Sequence, residues 1–249
     1  MPSNSAIDAT LQDQRQQLRR KIRRQRRALT PDAQKKASLL LIRHLLSLPA
    51  LKRARRLAIY LPNDGEIDPT AFIQVARQLG KTCYLPVLHP ILHNRLWFYR
   101  FDSHTRLRHN RFGIPEPAHR NAPRCAPWAL HVVLLPLVAF DADGGRLGMG
   151  GGFYDRTFGF TRHSAQPAPR LVGLAHELQR VDRLPIADWD VPLEAIVTDR
   201  AIYGSRNATA MQGAGEPRIL AGRHRLKSRL KRACSTRTFR ILQQRIAPA

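Results

Sequence analysis

Hydrophobic positions recur along the chain with two periods, and the alternation between them predicts the architecture. Leu11, Leu18 and Ile22 fall at helical spacing inside a strongly basic segment, so residues 9 to about 28 read as a helix with one apolar side. Thr30-Pro31-Asp32 supplies an N-cap with proline at the first helical position. A second helix is therefore expected over Ala33 to Leu48, with Leu39, Leu40, Ile42, Leu45 and Leu46 as its apolar face and Pro49 at its end. Short apolar runs then take over. Residues 56–61 (RLAIYL) read as a buried strand broken by the Pro62–Gly65 turn, Pro69 to Leu79 as a short helix ending at Gly80, and Thr82 to Leu88 and Leu96 to Phe101 as strands. Residues 103–127, with several prolines, read as one long loop. Residues 131–136 (HVVLLP) give the strongest core-strand pattern, a helix starts near residue 153, and residues 171–175 and 195–198 give two further strands. Strands alternating with helices predict an α/β layer fold.

Beyond Tyr203 the pattern changes: residues 205–217 are small and polar, and residues 218–246 are basic and only weakly periodic. The expected organisation is an N-terminal extension (1–11), a folded domain (12–203) and a basic C-terminal tail (204–249).

Composition narrows this picture. With 249 residues, 43% of them hydrophobic, the chain can bury one sizeable core. The longest apolar candidate, Ala129 to Phe140, is shorter than the roughly 18 residues a membrane span needs and contains His131 and Pro136, so no span is expected. The N-terminus carries no apolar signal region. Cys83, Cys125 and Cys234 are odd in number and far apart, which points to neither a disulfide framework nor a zinc site and suits a reducing cytoplasm. His89 and His93 are four apart, but Pro90 between them works against a shared helix face.

The net charge of +24 leaves two readings open. It can attract phosphates or small polyanions, or it can follow from an arginine-biased composition without a function. The cluster Arg223, Arg225, Lys227, Arg229, Lys231 and Arg232 suits salt-dependent, sequence-independent contact with nucleic acid. No recognisable binding motif or interleaved aromatics accompany it.

One stretch concentrates candidate chemistry. Residues 144–156 read GGRLGMGGGFYDR, with six glycines in nine residues between a core strand and a helix. Glycine lets a backbone approach a ligand closely, amides at a helix start bind phosphate, and Arg146 adds a fixed cation with several donors. A nucleoside triphosphate is the natural ligand class. The familiar templates do not fit: the P-loop lysine and hydroxyl are missing, and Phe153 stands where the dinucleotide pattern needs its third glycine. A purely structural glycine turn remains the alternative.

The surrounding residues add a longer pattern. Pro136-Leu-Val-Ala-Phe140-Asp141, then Gly145-Arg-Leu-Gly148-x-Gly150-x-Gly152-Phe-Tyr154-Asp155, resembles the signature of the 5-formyltetrahydrofolate cyclo-ligase family. The resemblance extends to Arg15, Leu18 and Arg19 followed by the R-A-L-T-P segment, to Leu61 through Glu66, and to Asp190 and Thr198, covering roughly residues 12–203.

The resemblance implies a three-layer α/β/α sandwich with a mostly parallel or mixed sheet, and an ATP- and Mg²⁺-dependent conversion of 5-formyltetrahydrofolate to 5,10-methenyltetrahydrofolate with release of ADP and phosphate. It implies ATP contacts at Arg15, Arg19 and residues 146–154, namely Arg146, Leu147, Gly148, Met149, Gly150, Gly151, Gly152, Phe153 and Tyr154. Folate contacts fall on Leu61, Glu66 and Met149 to Phe153, metal ligands on Asp155 and Asp190, and the central catalytic roles on Arg146 and Glu66. A carboxylate at Glu66 suits a pterin because it accepts two parallel N–H bonds from an amino-pyrimidine edge. Magnesium uses one or two carboxylates with phosphate oxygens and water.

Three positions depart from the family's habit. Arg15 stands where lysine is usual, and Trp189 and Glu194 stand where the family commonly has His and Asp around the second metal ligand. Trp97, Phe98 and Tyr99 suit a folate wall or plain strand core equally. The implied protein is a cytoplasmic monomer whose basic surface suits folates with polyglutamate tails. A small-molecule kinase with the same loop, a nucleic-acid binder and a non-catalytic relative are the rival readings.

Overall fold

The computed structural model describes residues 4–118, 123–162, 168–185 and 190–204, and all described elements lie within the compact unit Met1–Gly215. The basic tail, Cys234 and Trp189 lie outside the described residues. In chain order the elements are α1 (Asn4–Arg27), α2 (Pro31–Ser47), α3 (Pro49–Arg53), β1 (Arg56–Ala58), α4 (Thr70–Gln78), β2 (Thr82–Leu88), β3 (Leu96–Phe101), β4 (Leu107–His109), β5 (Pro115–Pro117), β6 (Arg124–Cys125), β7 (Val132–Pro136), β8 (Ala139–Phe140), β9 (Arg146–Leu147), α5 (Phe153–Phe158), β10 (Arg170–Leu174), β11 (Ala195–Val197) and β12 (Ile202–Gly204).

An eight-stranded mixed sheet runs in the order β12-β11-β10-β7-β1-β2-β3-β6. The five strands from β11 to β2 are parallel, and β12 and β3 join that block antiparallel. Both faces are covered, which is why the central strands are continuous apolar runs rather than alternating ones. Leu57, Ile59, Val132, Leu134, Val172 and Leu174 pack on one face against Ala37, Leu41 and Leu45 of α2 and Phe72 and Ile73 of α4. Ala58, Val133, Leu135, Leu171 and Ile196 point the other way, toward Phe98 and toward Phe158 of α5. The chain is thus an α/β protein with helices on both sides of one sheet, as the sequence predicts.

Local signals explain the boundaries. Thr30 caps α2 through its hydroxyl, which accepts the Ala33 amide at 3.2 Å, with Pro31 at the first position. Helix α1 begins earlier than its apolar spacing predicts, and its thin apolar stripe packs elsewhere than on the sheet. Ile22 and the half-buried Leu18 meet Val138, Ala139, Leu147 and Leu184, so α1 lies along the segments that follow β7.

The expected long loop over 103–127 contains the β4–β5 hairpin and the edge strand β6, which pairs with β3. All three residues of β4 are exposed and β5 carries two prolines, so neither strand shows a buried period. Strand β12 closes the other edge, beyond the strands read from the sequence. No helix among the described residues is long and apolar enough to cross a membrane.

Gly173, in the middle of β10, sits where the sheet meets its second layer. A Cβ there would stand 2.6 Å from Leu137 Cδ2 and 2.8 Å from Leu193 Cδ1. Gly173→Ala is expected to destabilise the protein by about 1–3 kcal/mol through overpacking, read by urea unfolding. An unchanged midpoint would show that this layer yields freely.

Candidate active site at the carboxyl ends of the parallel strands

The segments leaving β1, β7 and β10 converge at one edge of the sheet, where open α/β sheets bind ligands. Helix α1 reaches them with arginines spaced three or four apart, which share one side of a helix. Arg15, buried, donates to the Asp190 carboxylate at 3.0–3.2 Å and to the Pro185 carbonyl at 2.8 Å. Arg19 Nε donates to the Gly148 carbonyl at 2.9 Å. Arg26, fully buried, donates from Nη2 to Asp64 Oδ2 and from Nε to the Asp64 carbonyl, both at 2.8 Å. Arg23 adds a bond to Asp64 Oδ2 at 2.7 Å, and Arg27 one to Oδ1. Burial pushes the Asp64 carboxyl up, but the bonds from Arg23 and Arg27 and the nearby charges outweigh it and hold the group below its usual range. Asp64 itself is left-handed (φ 54°), a conformation that short polar side chains tolerate.

The glycine stretch is built on a carboxylate turn. Asp141, buried, accepts the amides of Asp143 at 3.1 Å and Gly145 at 2.8 Å through Oδ1, and that of Leu184 at 3.1 Å through Oδ2. The turn delivers Arg146 into the interior, where Nε reaches the Val191 carbonyl at 3.3 Å and Nη2 bonds Asp155 Oδ1. The Val191 amide donates to the same Asp155 oxygen at 3.0 Å. Gly150 (φ 101°) and Gly152 (φ 65°) take left-handed conformations that reverse the loop before α5. The amides of residues 148–152 donate to no acceptor among the described residues. Arg156 steadies the loop from outside, with Nη1 2.7 Å from the Gly151 carbonyl.

Two residues past Asp64 stands Glu66. The residue as a whole is half-buried, while its carboxyl group is deeply enclosed. Burial pushes that carboxyl up to about 7, against the pull of Arg26 and of the Asn63 amide 3.1 Å from Oε2. The Tyr154 hydroxyl lies within electrostatic reach of both Glu66 and Arg146, and burial, then the Glu66 charge, raises its pKa. That hydroxyl makes no hydrogen bond among the described residues. Tyr60, whose hydroxyl donates to the Ile67 carbonyl at 2.7 Å, is raised by burial and by the same carboxylate. Behind the loop, the buried His176 accepts the Gln179 amide, and its Nε2 has no partner among the described residues. Burial holds this ring below its usual pKa, while the Gly65 peptide and Asp199 pull upward.

The residues singled out from the sequence therefore gather at one edge, but in a particular pairing. Arg15 and Asp190 bond each other, as do Arg146 and Asp155. Arg19 forms no salt bridge among the described residues; burial and Arg15 lower its pKa, with Asp190 opposing. Leu147 is buried under α1, Leu61 packs against the α2–α4 core, and Met149 is exposed. Phe153 and Tyr154 pack with the second core layer, and the Tyr154 ring stacks on Phe158. Phe98 and Tyr99 are buried in β3, and Trp97 lies under the Arg124 guanidinium. Thr198 is buried and donates to Glu177 at 2.7 Å. Sequence reasoning missed Asp64, Asp141, Arg156 and His176. The Asp-Gly turn and the i, i+4 arginines were visible signals for the first of these.

Fold and edge together define a class: an open α/β sheet protein with an arginine-lined glycine loop at its ligand-binding edge. The comparisons narrow it. The sequence pattern of the 5-formyltetrahydrofolate cyclo-ligase family matches residues 11–199. The chain is 40% identical over 183 residues to 5-formyltetrahydrofolate cyclo-ligase of Escherichia coli, covering 73% of this chain and 98% of that one. It is 44% identical over 181 residues to the Haemophilus influenzae protein of the same name, covering 72% and 94%. The solved structure of Aquifex aeolicus 5,10-methenyltetrahydrofolate synthetase superposes with a TM-score of 0.65 at 30% identity, covering 85% of this chain and 99% of that one. The chain belongs to the 5-formyltetrahydrofolate cyclo-ligase family.

The enclosed Glu66 makes stability depend on pH. Its folded pKa of about 7 lies above the ordinary 4.5, so protonation favours the folded state. Wild-type stability relative to Glu66→Gln is expected to be greatest below about pH 4.5, to fall as pH rises to about 7, and then to level off. Parallel urea titrations across this range, with a constant difference between the two proteins, would contradict the enclosure.

Proposed function

We propose that this protein closes 5-formyltetrahydrofolate to 5,10-methenyltetrahydrofolate at the expense of ATP, releasing ADP and phosphate. One observation carries the reading: a glycine loop with unengaged amides stands beside an enclosed carboxyl and an unbonded tyrosine hydroxyl. The first suits a phosphate chain and the second a heterocycle rich in N–H donors.

In this reaction the formyl oxygen attacks the γ-phosphorus and ADP leaves. Nitrogen 10 then attacks the activated carbon, and its proton and the phosphate depart. The protein's share is positioning and charge neutralisation. The amides of residues 148–152 and Arg19 take the phosphates, with Arg146 and Arg15 beneath them. Glu66 accepts the amino-pyrimidine edge of the pterin, with Leu61 and the Met149 to Phe153 edge around it. N–H donors favour the carboxylate, so folate affinity rises as pH climbs through about 7. Asp155 and Asp190 fit a magnesium ion: the Val191 amide, next in chain to Asp190, bonds Asp155, and Asp155 Oδ2 makes no hydrogen bond among the described residues. The ion would neutralise phosphate charge there, with its carboxylates shared with Arg146 and Arg15. The buried thiols Cys83 and Cys125 suit a cytoplasmic enzyme, and the net charge of +24 suits polyanionic folate tails.

Purified protein is expected to form methenyltetrahydrofolate, followed by its absorbance, only when ATP, magnesium and 5-formyltetrahydrofolate are all present. Asp155→Asn should raise the magnesium needed for half-maximal rate. A folded wild-type protein that forms no product under these conditions would overturn the assignment.

A further inference from the structure

The β4–β5 hairpin lies outside every residue assigned to the site so far, yet its tip reaches the glycine loop. The tip is built rigidly. Asn110 Oδ1 accepts the amides of Phe112 at 2.9 Å and Ile114 at 3.2 Å, and its carbonyl accepts the Gly113 amide at 2.9 Å. The hairpin is tied to the main sheet through the buried Glu116, whose Oε2 accepts the Leu88 amide and the Asn110 side chain, both at 3.3 Å. This scaffold holds Phe112 with 51% of its surface exposed. A large apolar side chain fixed in that state leaves burial energy unused.

Phe112 stands edge-on to Phe153, with ring centroids 5.8 Å apart and planes at 86°. Phe153 lies against Gly151, where a Cβ would meet its ring at 2.8 Å. The Arg111 guanidinium sits 5.0 Å from the Phe112 centroid, so the tip also carries a cation. Two perpendicular aromatic rings form a corner, and a third ring seats there edge-to-face with one and offset with the other.

The chain sets the order of these groups. Tyr154 faces Glu66, and its neighbour Phe153 faces Phe112. A ligand with its donor-rich heterocycle at Glu66 therefore has an aromatic corner at its far end and a cation beyond.

We propose that the Phe112–Phe153 corner is the subsite for the benzoyl ring of the folate, with Arg111 facing the glutamate carboxylates. The assignment rests on the function proposed above and adds a specificity element from a separate hairpin.

Phe112→Ala is expected to raise KM for 5-formyltetrahydrofolate about tenfold, equal to about 1.4 kcal/mol, a loss in keeping with one aromatic contact. KM for ATP and kcat should stay within about twofold, because neither phosphate nor reacting atoms touch this residue. Phe112→Trp should retain the wild-type value and Phe112→Leu should not. Competitive inhibition by 5-formyltetrahydropterin, which lacks the aryl-glutamate arm, should be equal in wild type and Phe112→Ala. An unchanged folate KM, or an equal weakening of the pterin inhibitor, overturns the subsite. If the wild-type protein has no turnover, the functional reading fails and the corner is tested by itself, by titrating 4-aminobenzoylglutamate against aromatic NMR signals. Saturable binding lost in Phe112→Ala supports the subsite, and identical titrations overturn it.

Discussion

Guanidinium groups on one side of α1 meet the carboxylates and carbonyls of three separate segments, and the position of the candidate site depends on that contact. Arg26 and its neighbours hold the Asp64 turn, Arg19 holds the glycine loop, and Arg15 holds the segment around Pro185 and Asp190. A buried arginine is tolerable only when paired, and removing one partner of such a pair costs about 3–5 kcal/mol. The arrangement therefore specifies geometry strongly even if its net contribution to stability is small. It also gives part of the +24 charge a structural use. The helix that looks like a solvated basic surface turns several of its arginines inward.

The same contact sets the electrostatics. Arg15 with Asp190 and Arg146 with Asp155 neutralise each other, which leaves Arg19 over the loop without a salt bridge among the described residues. An arriving phosphate chain would meet unengaged amides and that cation, and the paired groups lie ready to exchange partners. On the other side, the Asp64 turn places Glu66 in an enclosed position. Burial there raises the carboxyl toward neutrality, and Arg26 limits the rise. One turn thus converts a surface carboxylate into a group poised near the ambient pH.

Much of this was legible in the chain, and the exceptions have physical reasons. Residues 132–135 are apolar because both faces of the sheet are covered, and Thr30-Pro31 marks the start of α2 through its own hydrogen bond. The glycine stretch announced a close-approach loop through composition alone. The β4–β5 hairpin left no trace because its strands are short, exposed or proline-bearing. Pairings across the fold left none either: Arg15 and Asp190 are 175 residues apart, and nothing periodic links them. Each was read as a separate ligand, one for phosphate and one for metal, whereas here they hold each other. Asp64 read as a chain breaker, and only the fold reveals it as the acceptor for three arginines.

Amide hydrogen exchange on Asp64→Asn tests the dependence of the site on α1 most directly. Protection should be lost in residues 61–67 and in the second half of α1, while β7 and β10 keep wild-type protection, because the substitution releases the clamp without unfolding the sheet. Wild-type protection throughout residues 61–67 and α1 would show that the loops hold their positions without the arginine contact.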